Sequence, residues 1–549
     1  VTARAIAATA IAALAVAGFL YFPGHTWLQS DTQIYVPIFE HLADPGALRH
    51  DPVATRPHVR WTLYDEIAVA ARSWTGLEYK EILQIQQLLY RFAGLTGALL
   101  VGLSLTGGLV PGLLVAGCFG LGATINGPSV LTLEYEPVPR GFAILLVVFA
   151  LGLASQSRWR LAGAAGALAL LYHPPTAAAF WFCVILWWLS RRAGVAAPRL
   201  LAALPAGIVA LAAAAMLQDG GREAPVLFGR IGAEVEPIQR LRGAYNWLSL
   251  WPPGWLWQYP LLFCVAVGAW LRLRGAMPPV LRWFSIGLPA LGLLSMAVSY
   301  LLLDVGKWPL MPQLQPARNV LFITLFTTLL GAAAGWRAGA RGRTWEAAGW
   351  LAVVFAIPAN GLVFPLFAGA LNSPLAAKRL ALVVALAALG ALAARLWARK
   401  PAAGGALAAA ALTAAAWLIP TWGEMRNYPP LHTRELAELA AWARAATPRD
   451  AVFLFAGAHR RLEPGVFRVQ AGRALYVDWK AGGQANLIEG FALEWWRRWQ
   501  AVNQARPPLL PLAGYRALGI DYIVVEPAHR PPGAAPVFSN AHWEAFATG

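Results

Sequence analysis

A many-helix membrane domain followed by a small α/β domain is the architecture that three features of the sequence predict. Hydrophobic residues fill 58% of the 549 positions and charged residues only 13%, whereas an ordinary soluble chain carries about 25% charged residues. Apolar stretches that approach the ~20 residues needed to cross a bilayer recur from residue 4 to residue 422. Beyond Trp422 the pattern changes to short strand-like and helical runs separated by turn residues.

Thirteen apolar segments are predicted as transmembrane helices: 4–22, 85–106, 108–125, 140–156, 161–172, 175–190, 200–217, 256–272, 283–303, 319–336, 347–371, 380–396 and 403–421. The first has Arg4 ahead of its apolar core, as a signal peptide does. That core is too long for a signal peptide, and no small-residue cleavage site precedes Pro23-Gly24-His25, so a retained helix is expected.

The net charge of +17 does not indicate a nucleic-acid partner, because the basic residues fall in short clusters between apolar runs rather than in one patch. Lys and Arg are retained on the cytoplasmic side of short loops. Placing the N-terminus inside puts five clusters there: Arg158/Arg160, Arg191/Arg192/Arg199, Arg272/Arg274/Arg282, Arg337/Arg341/Arg343 and Arg395/Arg399/Lys400. Lys378 and Arg379 are the exception. An inner-membrane protein results, with the long loops 23–84, 126–139, 218–255 and 304–318 and the C-terminal domain on the periplasmic or extracellular face.

The first outer loop has helical apolar spacing over Tyr35 to Leu42 and Trp61 to Ala71, which predicts two helices lying on the membrane surface. Loop 218–255 runs into Tyr245, Trp247, Trp251, Trp255, Trp257 and Tyr259, which read either as an interfacial aromatic belt or as a mobile lid or acceptor-binding element. The division expected is residues 1–422 as the membrane domain and 423–549 as a soluble α/β domain. In the latter, Thr433 to Ala446 reads as a helix with Thr433 as N-cap. Ala451 to Ala456, Val466 to Gln470, Leu475 to Trp479 and Tyr522 to Val525 read as strands, and Ala485 to Val502 as a helix.

Cys118, Cys183 and Cys264 all lie in apolar segments, so disulfides are not expected. No CxxC, HExxH or Gly-rich phosphate loop is present. Chemistry must therefore be sought in acids and bases gathered from separate loops. Asp31, in Ser30-Asp31-Thr32-Gln33, follows the first helix closely enough to be fixed at the membrane surface, as a general base requires, and is also placed to cap the next helix. Glu134, Glu136 and Arg140 stand together at the mouth of the fourth segment, where they can position a phosphate or bind a metal. Arg318 begins the tenth segment at headgroup level, where its planar fork suits a phosphate, although an interfacial arginine also snorkels there for structural reasons. His173, in Tyr172-His173-Pro174-Pro175, lies at membrane depth as a candidate contact or a helix terminator. His50, Asp51 and Arg56 are candidate acceptor contacts, while Glu40, His41, Asp44 and Arg60 read as surface charges.

These residues, with Gln315-Pro316-Ala317-Arg318 and the C-terminal stretches Thr447-Pro448-Arg449-Asp450-Ala451-Val452-Phe453 and Arg473-Ala474-Leu475-Tyr476-Val477-Asp478-Trp479-Lys480, give a pattern that resembles the GT-C superfamily of integral-membrane glycosyltransferases. That superfamily includes oligosaccharyltransferases, protein mannosyltransferases and arabinosyltransferases. The resemblance covers nearly the whole chain as architecture. It implies transfer of a sugar, usually with inversion, from a polyprenyl-phosphate-linked donor to a glycan, lipid or protein acceptor at the outer face of the inner membrane. Asp31 would deprotonate the acceptor hydroxyl, Glu134 or Glu136 would be the second acid, and Arg318 or Arg140 would clamp the departing phosphate. A divalent Mg or Mn ion, if used, would sit on Asp31, Glu134 and Glu136. The chain departs from the pattern in lacking the Trp-Trp-Asp acceptor motif of oligosaccharyltransferases and in carrying a lone acid in the first loop where many relatives have two adjacent ones. An O-antigen-ligase-like enzyme and a non-catalytic lipid or polysaccharide assembly or transport protein are the competing readings. No convincing repeat supports a transporter.

Overall fold

The structure, a computed structural model, describes residues 3–56, 61–192, 194–217, 228–360, 373–425, 431–503 and 510–549. Arg60 and the stretches 361–371 and 218–227 of the predicted elements fall outside these residues. The chain is mainly helical, with a small sheet near its C-terminus.

Among the described residues, nine helices precede residue 190: α1 (Ala3–Leu20), α2 (Thr32–Ala43), α3 (Pro52–Thr55), α4 (Tyr64–Thr75), α5 (Tyr79–Thr106), α6 (Leu109–Gly120), α7 (Pro139–Ser155), α8 (Trp159–Tyr172) and α9 (Pro174–Leu189). Among the described residues, eight helices are long and apolar enough to cross a membrane, and four more are apolar but shorter, including α6, α7 and α9. The count of thirteen crossings is therefore not reached by length. Chain breakers divide the apolar runs: Gly107 adopts φ 75° between α5 and α6, and Pro174 starts α9 directly after α8. The eleventh predicted segment is helical from Thr344 to Asn360.

Small residues bring the helices close. A Cβ on Gly97 would lie 2.4 Å from the Val148 carbonyl oxygen, and one on Gly152 would lie 2.5 Å from that of Gly97, so α5 and α7 meet backbone to backbone. The helix Leu321–Ala340 runs through the middle of the bundle and buries nearly every residue. Arg91 of α5 is buried and donates to the carbonyls of Gly18 (2.9 Å), Gly24 and Glu134 (2.8 Å), which fixes the end of α1 against the loop that follows α6.

Among the described residues, the first, third and fourth long loops each bond to the C-terminal domain, the first through Asp51 and the Leu475 amide at 3.0 Å. Gln239 donates to the Ala485 carbonyl (3.3 Å), and Gln313 to that of Leu487 (3.1 Å). Lys378 pairs with Glu424 at 3.3 Å, so the basic pair that broke the charge rule lies on this same face. Arg272, in the last turn of the helix Pro253–Leu273, pairs at 2.6 Å with Glu346, in the first turn of the helix Thr344–Asn360.

The sheet has the order β4-β3-β5-β7-β6, with β3 (Val452–Phe455), β4 (Ala474–Leu475) and β5 (Tyr522–Val525) parallel, and β6 (Phe538–Ser539) and β7 (Glu544–Ala547) antiparallel at one edge. A hairpin, β1 (Thr124–Ile125) with β2 (Val130–Leu131), lies in the loop before α7. Thr433 caps the helix Arg434–Ala446 by accepting from the Leu436 amide at 3.2 Å, as predicted. Val466 to Gln470 is not a strand but part of the helix Glu463–Ala471. Pro464 in its first turn and Gly472 at φ 61° past its end supply the helix boundaries that outweigh the β-branched residues between them. Strand β4 also ends earlier than predicted, and Tyr476 to Lys480 leave the sheet.

The C-terminal domain does not carry its core alone. Ile34 and Ile38 of α2, Val53 of α3, and Ile231, Val235 and Ile238 share one buried cluster with Leu454, Tyr476, Ile523 and Phe546. The first loop is thus part of the wall on which this domain is built. Trp247 in that region is fully buried, which excludes it from an interfacial belt, while Trp257 is 67% exposed.

Candidate active site

Asp31 occupies the N-cap position of α2, yet its side chain makes no capping bond. The carboxylate turns away from the helix: Oδ1 accepts from Lys480 Nζ at 2.6 Å, and Oδ2 pairs with Arg140. Lys480 also donates to Ser30 Oγ at 2.8 Å. Three separate elements therefore meet at this acid: the start of α2, the start of α7, and the segment leaving β4. The cations Lys480 and Arg140 overcome the cost of burial and hold the Asp31 carboxyl well below the usual carboxylate range.

The three predicted acids are brought together but have different surroundings. Asp31 is 24% exposed, whereas Glu134 and Glu136 are 4% and 2% exposed, so Asp31 is the one an acceptor can reach. Glu136 accepts from the amides of Gln29 and Ser30 at 2.6 Å each and from Thr32 Oγ1 at 2.7 Å. It is the internal template of the turn that carries Asp31. Burial, and then the Asp31 charge, push its carboxyl up. Glu134 accepts from Arg140 Nε at 2.7 Å and from the Leu131 amide at 3.1 Å, and so aims the guanidinium at Asp31.

Among the described residues, no three His, Cys, Asp or Glu side chains form a metal-holding group. Asp31, Glu134 and Glu136 do not fit a divalent ion as arranged, because each carboxylate is already engaged by cations or by amide and hydroxyl donors.

His173 lies between α8 and α9, where Nδ1 accepts from the Thr176 amide at 3.2 Å. That bond caps α9 and, in the neutral ring, leaves the proton on Nε2. Its ring feels the charges of Arg318 and Arg140. Arg318 stacks over the Tyr245 ring with its guanidinium carbon 5.3 Å from the centroid. Among the described residues it has no ion pair, and its Nε is buried without a hydrogen-bond partner. The hydroxyl of Tyr35 lies among Asp31, Arg140, Arg318 and Tyr245; burial and the Asp31 charge push it above the ordinary phenol range, against the two arginines. Asp31, Arg140, His173 and Arg318, drawn from four regions of the sequence, thus converge.

The other three candidates lie elsewhere. Asp51 is fully buried, where it caps α3 through the Val53 amide (2.9 Å), accepts from the Leu475 amide (3.0 Å) and pairs with Arg468 (2.7 Å). Arg56 pairs with Glu494 at 2.7 Å. His50 lines a cavity of about 460 Å³ with Asp450, Arg498 and Asp521, beside the amino ends of β3 and β5. Asp51 and Arg56 fasten the first loop to the C-terminal domain.

Lys480 is the principal group to which the sequence assigns no role, whereas Tyr245 lies in the aromatic stretch already singled out. The signal for Lys480 was position alone: it leaves the carboxyl end of a strand in a parallel sheet, where ligands bind in open α/β sheets. The pH dependence follows from Asp31. A carboxyl held below about 3.9 stays ionised as pH falls from 7 to 5, and its stabilising pairs are lost only as pH drops through that lowered value. Any activity that depends on ionised Asp31 should therefore show no acid limb from it above pH ~4. An acid limb above pH ~5 that persists in Glu136→Gln would contradict this assignment.

The fold and site define a multi-pass membrane protein whose candidate site residues lie at the junction of the helical bundle with an α/β domain. Residues 434–502, which carry Arg468 and Lys480, match a family model described as a domain of unknown function, DUF6798. A search of curated proteins gives no match. Among solved structures, the crystal structure of ArnT from Cupriavidus metallidurans in the apo state is similar over 100% of this chain and 98% of that one, at 14% identity and a TM-score of 0.43. Likeness at that level assigns no chemistry, which rests on the residues themselves.

Proposed function

We propose that the chain is an inner-membrane glycosyltransferase of the GT-C type that transfers a sugar from a polyprenyl-phosphate-linked donor to an acceptor hydroxyl at the outer face. The supporting observation is a reachable carboxylate, Asp31, in the same electrostatic neighbourhood as an arginine, Arg318, that makes no ion pair among the described residues and whose Nε is buried without a hydrogen-bond partner. A base and an unneutralised phosphate receptor are the two groups that this reaction needs side by side.

In this reading Asp31 takes the proton of the acceptor hydroxyl as its oxygen bonds to the anomeric carbon. The bond from that carbon to the phosphate oxygen breaks with inversion, and the lipid phosphate leaves with the electron pair. Arg318, with the Nε2 proton of His173 beside it, meets the charge that develops on that phosphate. Arg140 and Lys480 keep Asp31 ionised and aimed.

The test is donor binding. Arg318→Ala should weaken binding of farnesyl phosphate, a short lipid phosphate, by about tenfold or more, the scale of one charge-assisted hydrogen bond. Arg318→Lys should recover part of the loss, because lysine keeps the charge without the fork. Equal affinity of both variants and the wild type would make Arg318 a snorkelling residue and remove the support for a lipid-phosphate donor.

A further inference from the structure

A second pair of arginines lies close to the site but outside the reaction just described. Arg242 and Arg460 stack on one indole, that of Trp479: their guanidinium carbons lie 3.7 and 4.7 Å from the ring centroid. Trp479 immediately precedes Lys480, which binds Asp31. Arg242 is the last residue of the helix Val235–Arg242, and its Nη2 donates to the Trp479 carbonyl at 2.6 Å. Tyr245, three residues on, interacts with Arg242 on one side and Arg318 on the other.

Three properties of this pair point to a ligand. First, neither arginine forms an ion pair among the described residues, although most arginines facing the C-terminal domain do, as with Arg461 and Glu526 or Arg468 and Asp478. Second, two like charges are held against the same ring: burial, and then the charge of Arg460, bring Arg242 down to about 10, a cost that a bridging anion removes. Third, Arg460 leaves the carboxyl end of β3, and Trp479 and Lys480 leave that of its parallel neighbour β4. The carboxyl edge of parallel strands is where an open α/β sheet receives its ligand.

We propose that Arg242 and Arg460, stacked on Trp479, form a second anion-binding subsite that holds a phosphate or carboxylate of the substrate, apart from the phosphate assigned to Arg318. The subsite rests on the glycosyltransferase reading for its role, but its existence is testable by binding alone. Arginine suits it because a planar guanidinium stacks on an indole face and still presents its in-plane N–H donors at the edge. The anion belongs either to the donor, as the second phosphate of a lipid diphosphate, or to the acceptor.

The experiment uses the full chain in lipid nanodiscs and three probes: farnesyl phosphate, farnesyl diphosphate and glucosamine 1-phosphate. If the donor supplies the anion, the wild type binds the diphosphate about tenfold or more tightly than the monophosphate, and the double variant Arg242→Gln, Arg460→Gln erases that preference while leaving monophosphate affinity intact. If the acceptor supplies it, the double variant leaves both lipid probes unchanged and loses binding of glucosamine 1-phosphate, which the wild type prefers over glucosamine. Arg460→Gln alone, at an exposed position, reports in the same direction should the double variant fold poorly. No change with any of the three probes in either variant overturns the subsite. Failure of the wild type to bind both farnesyl probes overturns the lipid-phosphate donor instead, and glucosamine 1-phosphate still decides the subsite.

Discussion

Asp31→Asn should slow sugar transfer by about 10²- to 10⁴-fold, the usual contribution of a general base, while the variant inserts, folds and binds farnesyl phosphate as the wild type does. Asparagine keeps the size of the side chain and removes the acceptor for the hydroxyl proton. Its effect on folding is small because Asp31 makes no side-chain capping bond in α2 and because Arg140 retains Glu134 at 2.7 Å. A loss confined to turnover, with donor affinity unchanged, identifies an interaction made in the transition state. Wild-type turnover in this variant would make Asp31 a tether for Lys480 and Arg140 only. That result would also favour the O-antigen-ligase-like reading, in which no carboxylate is essential.

Arg468→Met should be the most destabilising single substitution in the C-terminal domain, at about 3–5 kcal/mol. Arg468 is 1% exposed and bridges Asp51 and Asp478, whose side chains are 0% and 2% exposed. It also donates to the Gln33 carbonyl at 3.2 Å, two residues from Asp31. Removing the cation leaves two buried carboxylates facing each other, and each still needs its charge neutralised. Asp478 accepts from the Ala481 amide at 2.9 Å and so shapes the turn that carries Lys480. The variant should unfold at a lower temperature and lose activity together, and adding Asp478→Asn should restore part of the stability by removing one unpaired charge. An unchanged unfolding temperature would mean that the first loop and the C-terminal domain are held together by their shared apolar core alone.

The helical parts of the fold were legible because the bilayer writes its demand into local sequence. Runs such as Ala3–Leu20 and Pro401–Thr421 can only be apolar helices, and Thr433 before Arg434 to Ala446 is a local capping signal. The helix Glu463–Ala471 was misread because its five central residues, Val466 to Gln470, carry β-branched residues, while the signals that decide, Pro464 and Gly472, lie outside them. Half of the site was legible for a related reason. Asp31, Arg140, His173 and Arg318 each sit at the end of a predicted helix, where charge in an apolar chain is conspicuous. Lys480 meets Asp31 across 449 residues, and Arg242 meets Arg460 through Trp479; no local pattern encodes such pairings. Glu136 looked catalytic because carboxylates near a membrane are few. Only its three short hydrogen bonds to residues 29–32 reveal it as the support for Asp31.

If Arg318 holds a lipid phosphate within reach of Asp31, a structure of the full chain in nanodiscs saturated with farnesyl phosphate will show it. Phosphate oxygens are expected within about 3 Å of the Arg318 guanidinium, on the side facing His173 and Asp31. A phosphate bound at the face that carries Arg272 and Glu346, or a saturated chain with no phosphate near Arg318, would contradict that placement.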